Sequence, residues 1–238
     1  QRQMCIRDRI NGNTITSLRY AQALLAEEFN QISGNGSADS VSVQSNGPSL
    51  ATKGLSASVL LAQSIGGGGG WNVLQGSDDD MVILGTLRGG TGHGGAINVT
   101  NKAELSSQGR LSYGLVAQSI GGGGGAAGDG GRMSMLGSTQ ASGDVHGSDI
   151  TITNSGTILT AGAHSAGLLS QSIGGGGGLA ADVLGATQLG SLSVLGGNQN
   201  AGSITITNSG KGIQTEGISA AALSAQSIGC LLYTSDAA

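Results

Sequence analysis

An all-β chain wound into a parallel solenoid is what this sequence predicts, and three observations carry the prediction. One motif recurs at a near-constant period, short segments alternate apolar and polar residues, and the composition lacks the bulk of a layered core. The 238 residues include 47 Gly, 1 Pro and 2% aromatic residues, and only 10% are charged. Glycine is thus near three times its usual ~7%, and charge lies far below the usual ~25%. A chain with 37% apolar residues and so little charge does not carry the signature of disorder. So few large rings argue against a conventional core, where Phe, Tyr and Trp supply much of the buried area. The net charge of −4, with no Lys/Arg cluster, speaks against a nucleic-acid partner. No apolar run approaches the ~18 residues of a membrane-spanning helix.

The two ends are set apart by an argument at the level of DNA. Back-translating Gln1–Asp8 as CAG CGT CAG ATG TGT ATA AGA GAC, followed by AG, gives a segment with a telling reverse complement. Read one base in, it encodes Cys-Leu-Leu-Tyr-Thr-Ser-Asp-Ala, which is Cys230–Ala237. One DNA segment read on both strands accounts for both ends, as a translated sequencing adapter flanking an insert would. Residues 1–9 and 230–238 are therefore expected to be adapter-derived and are left out of fold reasoning. Both cysteines, Cys5 and Cys230, fall in them, so their even count does not imply a disulfide. The missing leader segment then carries no information on location.

Between these ends the chain repeats. Gln-Ser-Ile-Gly begins at Gln63, Gln118, Gln171 and Gln226, and Ile65, Ile120, Ile173 and Ile228 mark the same position in each copy. The first three copies run on into five glycines, Gly66–Gly70, Gly121–Gly125 and Gly174–Gly178. A second marker agrees with the first: alternating segments begin at Val41, Ile97, Ile150 and Ile204. Repeats are accordingly placed at 41–96, 97–149, 150–203 and a truncated 204–229. Residues 10–40 read as a degenerate repeat tail or a short helix, because Leu18, Leu24, Leu25, Phe29 and Ile32 loosely follow a 3.6-residue period.

Each repeat then yields its elements in order. Ile150-Thr151-Ile152-Thr153-Asn154 is a half-buried strand by its period of two. Asn154-Ser155-Gly156 supplies turn chemistry, since Asn and Gly tolerate positive φ. Thr157–Thr160 is a second strand, Ala161–Ser165 a small-residue corner, and Gly167–Ile173 a third strand. Met81–Leu84 and Ser191–Leu195 suggest a further strand after the glycines. A coil of such a fold takes roughly 18 to 27 residues, so a repeat of ~54 residues is expected to hold two or three coils. The glycine runs cost about 0.5–1 kcal/mol per residue relative to Ala. Either the backbone there turns or packs too closely for any Cβ, or each run is a mobile flap.

The Ile-Thr-Ile-Thr-Asn-Ser-Gly stretches followed by Gly-Leu-Leu-Ser-Gln-Ser-Ile and five glycines resemble the Gly-rich repeat passenger regions of large Gram-negative autotransporters. The resemblance covers roughly 41–229. It implies a right-handed parallel β-helix at the cell surface, exported across the outer membrane through a C-terminal outer-membrane β-barrel. It also implies adhesion or surface interaction, with a host surface, a carbohydrate or the protein itself as partner. A cysteine-free insert fits export through an oxidising compartment. The alternatives are a secreted Gly-rich repeat protein of matrix or ice-binding type and a β-helical carbohydrate-active enzyme.

Candidate chemistry is sparse, and no catalytic, cofactor or metal site is expected. His93 and His146 share a register, but at two or three coils per repeat they would lie roughly 10–14 Å apart, too far to share a zinc. They and His164 therefore read as surface decoration. Asp78-Asp79-Asp80 could attract calcium but reads as a solvated loop, and Asp129 lacks the spacing of a calcium-binding nonapeptide. The glycine runs open no helix, as a phosphate fingerprint requires. Asp144, His146 and Asp149 lie close in sequence but bring no nucleophile with them. Trp71 could stack on a sugar, or simply cover a coil edge. Gln63, Gln118, Gln171 and Gln226 could touch only if one repeat were one coil, so a structural role at coil corners is expected instead.

Overall fold

The computed structural model describes residues 36–73, 81–84, 91–128, 133–137, 140–181, 186–189, 193–195 and 199–229. Both adapter-like ends, the Leu18–Ile32 segment, Asp78–Asp80 and Asp129 lie outside them. The described residues form a parallel β-solenoid with every strand pair parallel. Six sheets run along it. Sheet A stacks Val41–Ser45, Ile97–Asn101, Ile150–Asn154 and Ile204–Asn208. Sheet B stacks Ser49–Thr52, Glu104–Ser107, Thr157–Thr160 and Gly212–Thr215. Sheet C stacks Leu60–Ile65, Leu115–Ile120, Leu168–Ile173 and Leu223–Ile228. The other three sheets are shorter: D with Gly69–Val73, Gly124–Gly128 and Gly177–Ala181, E with Met81–Leu84, Met133–Leu136 and Ala186–Leu189, and F with Gln140–Ser142 and Ser193–Leu195.

The register corrects the expected coil count. Val41 pairs with Ile97, Ile97 with Ile150, and Ile150 with Ile204, so one sequence repeat is one coil. The estimate of two or three coils assumed a single ring of strands. Each coil instead passes through sheets A, B and C and then returns through D, E and F, consuming the whole repeat. The glycine run, counted as a connection, supplies the strand of sheet D.

Two cores result, with sheet C as the wall between them. Leu115 and Ala117 face Ile97, Val99, Leu105, Ile150, Ile152, Ile158 and Leu168 in the first core. Val116 faces the other way and packs with Tyr113, Ala166, Leu169, Trp71 and Leu179. A parallel strand covered on both faces needs no polar side, and Leu115–Ile120 is buried throughout. Sheet A is covered on one face only, so its strands alternate buried and exposed.

The glycine runs are ordered, and their reason is steric. Gly122 and Gly123 have φ of +85° and +88°, and Gly124 and Gly125 have +139° and +135°. A Cβ on Gly124 would collide with the carbonyl of Gly177 in the next coil, and one on Gly125 with that of Gly70 in the previous coil. The flap alternative is therefore set aside. By contrast Asn154 and Asn208 are ordinary strand residues without positive φ. The conformational reason given for them above is wrong, and their role is hydrogen bonding.

Candidate interaction surface

Stacking one repeat per coil brings each repeated side chain against its own copies. Gln63 donates from Nε2 to Oε1 of Gln118, Gln118 does the same to Gln171, and Gln171 to Gln226, each at 2.6 Å. The expectation that these glutamines cannot touch is thereby corrected. Gln118 is fully buried, so its amide has no water to turn to and the ladder satisfies it. Ile120 and Ile173 lie buried in the same strands, whereas Ile65 is half-buried and Ile228 exposed at the ends of the stack.

A second ladder was not foreseen. Asn101 donates to Oδ1 of Asn154 at 2.7 Å and Asn154 to Asn208 at 2.6 Å, while each Nδ2 also reaches the carbonyl two residues on. The signal was present in the sequence as an Asn closing three of the four alternating strands. A third set uses the motif's serine. Ser119 Oγ donates to the carbonyl of Gly95 and accepts from the N–H of Ser148, both at 2.8 Å, tying sheet C to the segments that lead into sheet A.

The histidines follow the same rule. The rings of His93 and His146 stack with centroids 5.1 Å apart and planes at 15°, not at the 10–14 Å expected from a longer coil separation. His93 Nδ1 accepts the backbone N–H of His146 at 3.2 Å, and His146 Nδ1 that of Asn200 at 3.3 Å. One coil earlier, Ser37 Oγ accepts the N–H of His93 at 3.2 Å. This column asks for a hydrogen-bond acceptor, which Ser and His both supply. Asp149 Oδ1 likewise accepts the N–H of Ser203 at 2.7 Å, so neither His146 nor Asp149 is arranged toward the other as base and orienter. His164 stands exposed at the corner, with φ of +56°. Among the described residues no three His, Cys, Asp or Glu side chains gather around a point.

Trp71 packs edge-on against Tyr113, centroids 5.9 Å apart at 83°, and belongs to the second core. Its register partner in the next coil is Ala126, a large residue over a small one. Burial pushes the phenol of Tyr113 up to about 12. Trp71 therefore works as packing.

Among the described residues, two surfaces that a partner could reach are the outer face of sheet A and the groove beside sheet B. The outward columns of sheet A read Ser42, Asn98, Thr151, Thr205 and Gln44, Thr100, Thr153, Thr207. All are exposed except half-buried Thr100, and none is charged. The groove, about 260 Å³, is lined by residues including Ser106, Gln108, Leu159, Ala161, Gln214 and Glu216. These surfaces can offer hydroxyl and amide groups at the regular ~4.8 Å spacing of stacked strands. Compared with protein families, with curated proteins and with solved structures, the chain matches none.

Proposed function

We propose that this chain is a stretch of a cell-surface autotransporter passenger, a structural and adhesive solenoid without a catalytic site of its own. The observation that carries the reading is the outer face of sheet A, where uncharged polar side chains recur in register over four coils. Such a face suits weak, repeated contacts with a carbohydrate or host surface, whose summed strength grows with the number of coils engaged. On this reading the full-length protein carries a C-terminal outer-membrane β-barrel through which the passenger reaches the outside of a Gram-negative cell.

Long-read sequencing of the source DNA across Gln1–Arg9 and Cys230–Ala238 tests this. The expected result is a frame that continues through further glycine-run coils into a barrel of amphipathic strands. A frame that closes without a barrel overturns the passenger reading and leaves a secreted repeat protein. Gln44 and Ser42 interrupt the threonine columns of sheet A, which counts against the ice-binding form of that second reading, and freezing-point hysteresis of the purified chain would identify it.

A further inference from the structure

We propose that Asn98 is an acceptor for N-linked glycosylation, taking on Nδ2 a sugar that projects from the outer face of sheet A. Asn98-Val99-Thr100 is an Asn-x-Thr triplet, the pattern that asparagine-directed glycosyltransferases read. In a strand the first and third residues of such a triplet share a face. Val99 points into the core, whereas Asn98 is exposed and Thr100 half-buried on the outer side. The acceptor amide and the hydroxyl that marks it are thus presented together. The coils before and after are both in place, with Ser42 and Thr151 as the register partners of Asn98. Its exposure is therefore lateral and owes nothing to either end of the stack.

The state of its amide sets Asn98 apart from the other asparagines of the inner coils. Asn101 and Asn154 are buried, and each commits Nδ2 both to the next coil and to a carbonyl two residues on. A sugar on either would break a rung and enter the core. The Asn98 amide has no hydrogen-bond partner among the described residues, and the side chains of Ser42 and Thr151 beside it are small. The rest of its column, Ser42, Thr151 and Thr205, carries hydroxyls, so Asn98 is where that column departs from its pattern. The reaction takes an activated sugar, a nucleotide-diphosphate sugar, and a transferase, both supplied by the cell. Nδ2 attacks the anomeric carbon and the N–C bond forms. The C–O bond to the diphosphate breaks, the diphosphate leaves with the bonding pair, and one amide proton passes to a base on the transferase. The backbone of Asn98 is held in the ladder between two coils, so transfer precedes closure of sheet A. The closed coil then carries the sugar without losing a hydrogen bond. The sugar stands on the face read above as adhesive, but its assignment does not depend on that reading.

Co-expression with a soluble asparagine-directed glycosyltransferase that uses UDP-glucose is the test. The chain used carries Asn35→Gln, which removes the other such triplet, Asn35-Gly36-Ser37, whose asparagine lies outside the described residues. Intact-mass and fragment-ion spectrometry of the purified chain should find one hexose, placed on Asn98. Its circular dichroism spectrum and urea midpoint should match those of the unmodified chain. Asn98→Gln and Thr100→Ala should each lose the hexose, and Thr100→Ser should keep it. A parent chain without hexose, a hexose that persists in Thr100→Ala, or a hexosylated chain that lacks the parental β-sheet spectrum would each overturn the proposal.

Discussion

Ser170 shows how far a single position in the stack is dictated by its neighbours. Its register partners are Ala117 and Ala225, and its hydroxyl is buried without a hydrogen-bond partner. A buried unsatisfied hydroxyl costs about 1–3 kcal/mol. Ser170→Ala should therefore stabilise the chain by about 1 kcal/mol, read as a higher urea midpoint; a lower midpoint would show that Oγ is satisfied. Gly124 makes the opposite case. Its φ of +139° and the facing carbonyl of Gly177 leave a Cβ nowhere to go. Gly143 also has positive φ, at +78°, but has nothing within 4 Å of its Cβ position. Gly124→Ala should lower stability by about 3 kcal/mol or more and Gly143→Ala by only about 1 kcal/mol, since the second meets backbone strain alone. Equal losses would mean that the glycine run is not stacked as described. At this scale the sequence was legible as repetition, but not as contact. Nothing in Gly-Gly-Gly-Gly-Gly distinguishes a flap from a strand until the partner backbone is known.

The ladders belong to the element, because a rung has meaning only through the rungs beside it. Removing the Gln118 amide strands Nε2 of Gln63 and Oε1 of Gln171 together. Gln118→Leu is expected to cost about 2–4 kcal/mol, more than a neutral volume change in a core, because two polar groups lose partners. Gln118→Glu separates the electrostatic part of this. A carboxyl at this fully buried position is desolvated, which raises its folded pKa above its unfolded one. The variant's stability is then greatest below the unfolded value near ~4.3 and falls as pH rises through the raised folded value. Urea midpoints of the variant, referred to the parent at each pH, should therefore be closest to parental at pH 4 and lowest at pH 7. A pH-independent difference would place residue 118 in contact with water. The sequence did reveal the strands of sheet A and two of sheet B, Thr157–Thr160 and Gly212–Thr215, because period-two alternation survives wherever one face is exposed, but not Ser49–Thr52 or Glu104–Ser107. It hid sheet D, where glycine has no side chain to alternate, and so made each coil look shorter than it is.

For the whole molecule, one repeat to the coil makes the stack a quasi-one-dimensional object held by nearest-neighbour interfaces. Register, rather than any single residue, is then what the chain must preserve. The serine, glutamine, asparagine and histidine columns lie at different places around the coil, and all step by the same 53 to 56 residues. Excision of 97–149 would join Ala96 to Ile150 and bring every column back into line: Gln63 onto Gln171, Ser64 beside the segment before Ile150, and Gly69 under Gly177. Excision of 97–122, a similar interruption of fewer residues, would set sheet A against sheet D and align no column. The larger deletion should therefore keep the β-sheet circular dichroism per residue and a protease-resistant core, while the smaller should lose both. The smaller deletion is the discriminating one: if each repeat held two coils, it too would be tolerated. The function read from this architecture scales in the same way, since a face that gains one row of hydroxyls and amides with every coil changes in reach, not in kind, when a coil is added or removed.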